Sequence, residues 1–164
     1  ITMNEEIIAL SQKASRLLLE KGNTVGIAES STGGLVSAHL LAIPGASAYF
    51  LGGAVIYTRF AGRGFLGVTD KDMEGLRAAT ESYAFLNAGK VKDILGSTWG
   101  VAETGATGPT GNRYGDAAGH TCIAVSGPVS RSTTLETGVS DRQKNMVTFA
   151  AATLNLLIDC LEES

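Results

Sequence analysis

The chain has 164 residues and a mass of 16.9 kDa; 44% of its residues are hydrophobic and only 18% are charged. This length suits one domain over residues 1–164, because single domains cluster at roughly 100 to 150 residues, and the low charge content excludes a chain kept disordered by charge repulsion. The net charge of −3, with scattered basic residues, argues against a nucleic-acid partner, and no run approaches the about 20 apolar residues that span a membrane.

The first third of the chain predicts alternating helices and strands. Apolar residues recur with helical spacing, and short β-rich runs are bounded by glycine and proline. The predicted elements are a helix over 4–21, a strand over 24–28, a small-residue turn over 29–34, a helix ending near Leu41 and a strand over 48–58. A strand followed by a small-residue turn and a helix is typical of an α/β fold.

The rest of the chain continues this pattern. The predicted elements are, in order, a short helix over 59–66, a helix from Asp70 to about Arg77, a helix over 80–95 capped by Thr80, a strand over 98–104, antiparallel strands over 121–126 and 132–138, and a helix opened by Asp141 that runs to about Leu161. The segment 105–119 between two of these strands is a loop with five glycines. Compact domains seldom keep so long a loop without a use for it, so it is a functional candidate.

The N-terminal segment and the two cysteines bear on the compartment. Glu5 and Glu6 stand where a secretory signal would carry basic residues, so we expect a cytoplasmic protein. Cys122 and Cys160 fall on a predicted strand and a predicted helix without metal-binding or disulfide spacing, which predicts buried free thiols. No metal site is expected.

The turn after the first strand is the first candidate site. Ser30, Ser31 and Thr32, followed by Gly33 and Gly34, place hydroxyls and backbone N–H groups at the positive end of a helix. That arrangement suits an anion or an oxyanion, although a capped helix without a ligand has the same pattern. The glycine spacing matches neither the Walker nor the dinucleotide-binding motif.

A second candidate is Ser47, in a tight turn after Pro44. Such a turn can present a serine hydroxyl to solvent, but a serine nucleophile needs a base within hydrogen-bond reach. His39 on the preceding helix and His120 at a strand start have no spacing that compels a pairing with Ser47. An ordinary turn serine therefore stays open beside the catalytic interpretation.

Five segments, taken in order, resemble the C-terminal domain of the CinA family, which also occurs as a stand-alone nicotinamide-nucleotide amidase. They are 26–38 (GIAESSTGGLVSA), 44–58 (PGASAYFLGGAVIYT), 65–68 (FLGV), 104–109 (TGATGP) and 140–142 (SDR). The resemblance implies an α/β fold, a three-layer α/β/α sandwich with a mixed sheet. It also implies, in active members, hydrolysis of the carboxamide of nicotinamide mononucleotide to nicotinic acid mononucleotide and ammonia, without metal or cofactor.

The resemblance also implies site residues. Ser47 matches the nucleophilic serine and Tyr57 the tyrosine at a strand end, whereas the position of the family's lysine base is occupied by Gly62. The implied substrate-binding residues lie in the two glycine-containing turns and before the last helix: Glu29, Ser30, Ser31, Thr32, Gly33, Gly34, Gly105, Thr107, Gly108 and Arg142.

Three departures from the family pattern bear on activity. Gly62 replaces the lysine, Asp116 stands where the family has a cation, and Ser31 replaces a cysteine. Loss of a general base typically costs about 10² to 10⁴ in rate. Arg59 and Arg63 lie nearby in sequence and can bind an anion, but arginine stays protonated and cannot accept the serine's proton.

We therefore expect a CinA-like domain with weak or absent amidase activity that retains binding of a small nucleotide or self-associates as a homo-oligomer. One alternative is an active amidase that uses Ser47 with a different base. Another is a different hydrolase in which His39 or His120 serves Ser47.

Overall fold

A five-stranded sheet sets the architecture. In the computed structural model, which describes residues 2–164, the strands are β1 (Val25–Glu29), β2 (Phe50–Val55), β3 (Trp99–Ala106), β4 (His120–Ser126) and β5 (Arg131–Glu136). Their order across the sheet is β2-β1-β3-β4-β5. β1 pairs in parallel with β2 and β3, while β4 is antiparallel to β3 and β5. The predicted mixed sheet is confirmed.

Helices cover both faces of this sheet. They are α1 (Met3–Lys21), α2 (Leu35–Leu41), α3 (Arg59–Leu66), α4 (Glu81–Leu95) and α5 (Arg142–Glu163), with a single 3₁₀ turn at Ala46–Ala48. One buried core lies between the sheet and α1, α2 and α5, and the other lies between the sheet and α3 and α4. The expected three-layer α/β/α arrangement is confirmed.

The two faces of the sheet differ in side-chain size. Successive residues of a strand point to opposite faces, so Ile27 and Val101 enter the core under α5 while Ala28 and Ala102 enter the core under α4. The small residues let α4 lie close to the strands. This packing fixes the ends of β1 and β3, where the candidate site lies.

Helix starts follow the predicted caps. The Thr80 hydroxyl accepts a hydrogen bond from the Tyr83 N–H at 3.2 Å, and the Asp141 carboxylate accepts one from the Lys144 N–H at 3.1 Å. Each cap satisfies a backbone donor that has no partner inside its helix. Both predicted N-caps are confirmed.

One predicted helix does not form. Residues 70–75 make turns in which Thr69 and Asp72 exchange two hydrogen bonds, of 2.9 and 3.1 Å. Gly75 then adopts a left-handed conformation with φ of 72°, which stops any helix there. The predicted strand over 48–58 is also shorter, because the 3₁₀ turn occupies its start.

Both cysteines are free and buried, as predicted. Burial raises the pKa of Cys160 to about 11 and also raises the pKa of Cys122, so neither thiol is a ready nucleophile. Within residues 2–164, none of the helices combines the length and the hydropathy needed to cross a membrane.

Candidate functional site

The carboxyl ends of β1, β2 and β3 meet at one edge of the sheet, because these strands are parallel. A cavity of about 340 Å³ opens at this edge. It is lined by Ser30, Ile56, Tyr57, Thr58, Arg59, Phe60, Met73, Ala78, Tyr83, Thr104, Arg113 and Tyr114. Ligands of open α/β sheets bind at such an edge. We call this space the Ser30 cavity.

A second cavity of about 250 Å³ lies beside the first. It is lined by Ser31, Tyr57, Gly105, Ala106, Thr107, Gly108, Thr110, Gly111, Asn112 and Arg142. We call it the Ser31 cavity. Tyr57 borders both spaces, and six of the ten residues predicted for substrate binding line one or the other.

Arg142 links two residues that line the Ser31 cavity with it, Gly108 and Tyr57. Its guanidinium donates one hydrogen bond to the Gly108 carbonyl at 2.6 Å and another to the Tyr57 hydroxyl at 3.2 Å. None of the ion pairs among the described residues includes Arg142. Its positive charge is therefore available to an anion in the Ser31 cavity.

The N-terminus of α2 already holds an anion of the protein's own. The buried Glu29 carboxylate accepts hydrogen bonds from the N–H groups of Gly34, Val36 and Ser37 at 2.9 to 3.1 Å, and from the Thr32 hydroxyl at 2.7 Å. These N–H groups are satisfied inside the protein, which favours the alternative of a capped helix without a ligand over an external anion. Glu29 and Thr32 thus stabilise the turn through hydrogen bonds inside the protein.

Glu103 is a site residue that sequence reasoning missed. Only 1% of it is exposed, and its carboxylate accepts hydrogen bonds from the N–H groups of Ser30 at 3.1 Å and Thr32 at 3.0 Å. It also accepts from the hydroxyls of Ser31 and, at 3.1 Å, Thr121. Burial raises the pKa of Glu103. The signal in the sequence was a lone acid inside an apolar strand.

Asn145 is another residue that the sequence analysis missed. It is buried on α5, and its amide donates to the carbonyls of Thr107 at 2.9 Å and Val139 at 2.7 Å. Its oxygen accepts from the Thr137 hydroxyl at 2.7 Å. Asn145 thereby holds the start of the glycine-containing loop against α5.

Ser47 lies apart from these residues. It is exposed in the 3₁₀ turn before β2, whereas Tyr57 follows the end of β2. A six-residue strand is about 20 Å long, so the two side chains belong to opposite edges of the sheet. The structure does not bring together the serine and the tyrosine that the resemblance paired.

The two histidines are engaged elsewhere. His39 bonds through Nδ1 to the Leu35 carbonyl of its own helix at 2.8 Å. His120 bonds through Nδ1 to Glu136 at 2.5 Å and through Nε2 to the Ala79 carbonyl at 2.8 Å. Among the described hydrogen bonds, neither ring reaches a serine hydroxyl, so no histidine base stands beside Ser47.

Within the described part of the chain, no three His, Cys, Asp or Glu side chains are grouped as a metal would require.

The family model described as the CinA C-terminal domain matches residues 7–161. The chain belongs to the CinA C-terminal domain family. It is 34% identical over 157 residues to a CinA-like protein of Desulforapulum autotrophicum, covering 94% of this chain and 37% of that protein.

Other comparisons agree with this assignment. A CinA-like protein of Nostoc sp. is 38% identical over 120 residues, covering 73% of this chain and 28% of the relative. The chain thus spans about a third of the length of these curated relatives. The competence or damage-inducible protein from Enterobacter asburiae has a crystal structure similar to this CinA domain, with a TM-score of 0.87, 27% identity and coverage of 94% and 98%. A CinA superfamily protein from Klebsiella pneumoniae, 22% identical with a TM-score of 0.90, supports the fold alone; coverage is 96% and 99%.

Gly62, which the resemblance aligns with the family's lysine base, is buried on α3 of this CinA domain. It lines a space of about 20 Å³ together with Arg59, Met73 and Tyr83, and these three residues also line the Ser30 cavity. A Cβ atom at this position would lie 3.7 Å from Ile56, an ordinary van der Waals distance. The backbone therefore accepts a side chain here, and the glycine leaves a small gap beside the cavity.

Asp116, for which the resemblance implies a cation in the family, is paired with a cation within this CinA domain. The Arg77 guanidinium donates two hydrogen bonds to its carboxylate, at 2.8 and 3.3 Å, and the Asn112 amide donates a third at 2.8 Å. The Arg77 hydrogen bond lowers the pKa of Asp116. Arg77 and Arg113 also lie over the Tyr114 ring, at 5.0 and 5.1 Å from its centroid. The wall of the Ser30 cavity stays positive despite the exchange.

Proposed function

We propose that this CinA domain binds a pyridine mononucleotide at the carboxyl edge of its parallel strands and hydrolyses its amide weakly or not at all. The two cavities supply the groups that such a ligand needs. Tyr57 and Tyr114 offer aromatic faces to a pyridine ring, and Arg59, Arg113 and Arg142 offer guanidinium groups to a phosphate.

One observation carries the proposed loss of hydrolysis. The described residues that line the Ser30 cavity include no lysine, histidine, aspartate or glutamate. Arginine cannot take up a proton, and tyrosine, with an ordinary pKa near 10, is protonated at neutral pH. A hydroxyl without a proton acceptor is a poor nucleophile, so bound nucleotide is retained rather than cleaved.

We place the hydroxyl facing the ligand at Ser30 rather than at Ser47. Ser30 lines the larger cavity together with Tyr57, Arg59 and Arg113, whereas Ser47 is exposed at the other edge of the sheet. The alternative of an active amidase built on Ser47 has no supporting contact. Cytoplasmic location and self-association stay predictions.

Calorimetry with nicotinamide mononucleotide tests this function. We expect saturable binding that is weakened at least about tenfold by Arg142→Ala, because a lost charge-assisted hydrogen bond is worth about 1.5 to 3 kcal/mol. Ser47→Ala is the matched control and should bind like the wild type. Absence of heat at millimolar nucleotide, or equal weakening by both substitutions, would contradict the proposal, and the same samples can be assayed for ammonia.

A further inference from the structure

Ser31 differs from Ser30 in having a carboxylate within hydrogen-bond reach. Its hydroxyl donates to Glu103, and Ser31 lines the Ser31 cavity beside Tyr57 and Arg142. Glu103 is itself held in place by the Thr121 hydroxyl at 3.1 Å and by the Ser30 and Thr32 N–H groups. A nucleophile, a base that it touches and groups that orient the base are the recognisable parts of a covalent catalytic site.

We propose that Ser31 and Glu103 form a nucleophile and base pair that takes the acyl group of a small activated ester bound in the Ser31 cavity. This goes beyond the proposed function, because it concerns a different hydroxyl, a different cavity and an ester instead of an amide.

The hydrogen bonds around Thr32 make Glu103 a good proton acceptor. The Thr32 hydroxyl has a single proton but lies 2.7 Å from Glu29 and 3.0 Å from Glu103. Both carboxyl groups are 1% exposed, and neither has a cationic partner among the described ion pairs. The threonine can donate its proton to only one of them, so the other carboxyl oxygen faces the hydroxyl without receiving a hydrogen. A proton that moves to Glu103 completes this second hydrogen bond, and burial raises the pKa of Glu103.

The reaction balances as follows. Ser31 Oγ forms a bond to the ester carbonyl carbon while its proton moves to Glu103. The carbon–oxygen bond to the alcohol breaks, and the leaving oxygen recovers the proton from Glu103. Water then attacks the acyl-serine, gives its proton to Glu103 and releases the carboxylic acid, after which the proton returns to Ser31. Ester and water thus become acid and alcohol.

The volume and charge of the Ser31 cavity limit which ester can bind there. About 250 Å³ holds a short acyl donor, and the unpaired positive charge of Arg142 favours one that carries a carboxylate or a phosphate. An alcohol or phenol with a low pKa leaves readily, whereas an amine must first be protonated. The substrate class is therefore a small, anionic, activated carboxylic ester.

Labelling with an alkyl fluorophosphonate tests the pair directly. In this probe reaction Ser31 Oγ bonds to phosphorus, fluoride leaves and the serine proton passes to Glu103. We expect a single phosphonyl adduct on the peptide that carries Ser31, lost in Ser31→Ala and kept in the matched variant Ser47→Ala. Glu103→Gln should slow labelling at least about 100-fold.

If Glu103→Gln does not fold, the dependence of the wild-type labelling rate on pH still tests the role of Glu103. The rate should rise with pH through one midpoint above the ordinary glutamate value of 4.5, as Glu103 loses its proton. An adduct on Ser30 or Ser47, no adduct at all, or a rate that does not change with pH would overturn the proposal. None of these outcomes alters nucleotide binding measured by calorimetry, so the two proposals fail separately.

Discussion

At the scale of single residues, Gly62 stands beside the Ser30 cavity, whose described lining residues include no lysine, histidine, aspartate or glutamate. Ile56 and Val68 are the nearest neighbours of a Cβ atom placed on Gly62, and they lie at 3.7 and 3.9 Å, so α3 accepts a side chain at this position. A longer side chain here would grow toward Arg59 and Tyr83, which line the Ser30 cavity.

Gly62→Lys should therefore restore hydrolysis of the nucleotide amide. A lysine beside Arg59 has its pKa lowered by the like charge, which makes a neutral amine available as the base. We expect ammonia release to rise about 100-fold or more. Gly64→Lys is the matched control, because Gly64 lies on the same helix with open space around its Cβ position. Equal ammonia release from both variants would contradict the role assigned to position 62.

At the scale of elements, the approach of α4 to the sheet depends on glycine in β3. A Cβ atom on Gly100 would lie 2.0 Å from the Ala88 carbonyl oxygen and 2.7 Å from the Lys92 side chain. Backbone atoms of α4 thus occupy the space that any other residue would need. The same helix is capped by Thr80, which directly follows the Ala79 carbonyl that His120 contacts.

Gly100→Ala should lower the free energy of unfolding by about 1 to 3 kcal/mol, the usual cost of overpacking a core. Gly89→Ala on α4 is the matched control: its Cβ position has no neighbour within 4 Å, and alanine favours helix by about 1 kcal/mol. Urea unfolding followed by circular dichroism measures both. A Gly100→Ala protein as stable as the wild type would mean that α4 does not pack as described.

The helices and their caps were predictable because their signals are local. Thr80 and Asp141 each precede a run with helical spacing, and each accepts the hydrogen bond that a cap requires. The helix predicted from Asp70 had similar polar residues, but it does not form. Gly75 and the two hydrogen bonds between Thr69 and Asp72 favour turns there instead. Competing turn chemistry of this kind is hard to weigh from the sequence alone.

At the scale of the whole molecule, His120 links three distant segments. Its ring reaches Glu136 on β5, the Ala79 carbonyl before α4, and Asp116 at 3.7 Å in the glycine-containing loop. Burial disfavours the charged ring, but the hydrogen bonds to Ala79 and Glu136 prevail and raise the pKa of His120 above its ordinary 6.5. All three neighbours accept hydrogen bonds or carry negative charge, so they favour the protonated ring.

The free energy of unfolding should therefore fall as pH rises. A group whose pKa is raised by folding contributes its full stabilisation below its unfolded value of about 6.5 and loses it as pH passes the folded value. We expect the urea midpoint of the wild type to drop between pH 6 and pH 8, and to change less in His120→Gln. Identical pH dependence in both proteins would show that His120 does not carry the effect.

The site was less predictable than the fold, because it depends on contacts across long stretches of chain. Glu103 and Ser31 are 72 positions apart and meet only once β1 and β3 are paired. The resemblance named Tyr57 and Arg142 as site residues, and these two side chains do meet. It could not reveal that Ser47 lies at the opposite edge, since that follows from the direction of β2.

Ammonia release from nicotinamide mononucleotide is the most direct test of whether binding has been separated from hydrolysis. The wild-type protein, held at a nucleotide concentration that calorimetry shows to be saturating, should release ammonia far more slowly than about 1 s⁻¹, the lower end of ordinary enzyme turnover. Turnover at or above that rate would mean that a base does act on the bound nucleotide, and it would contradict the proposed separation of binding from hydrolysis.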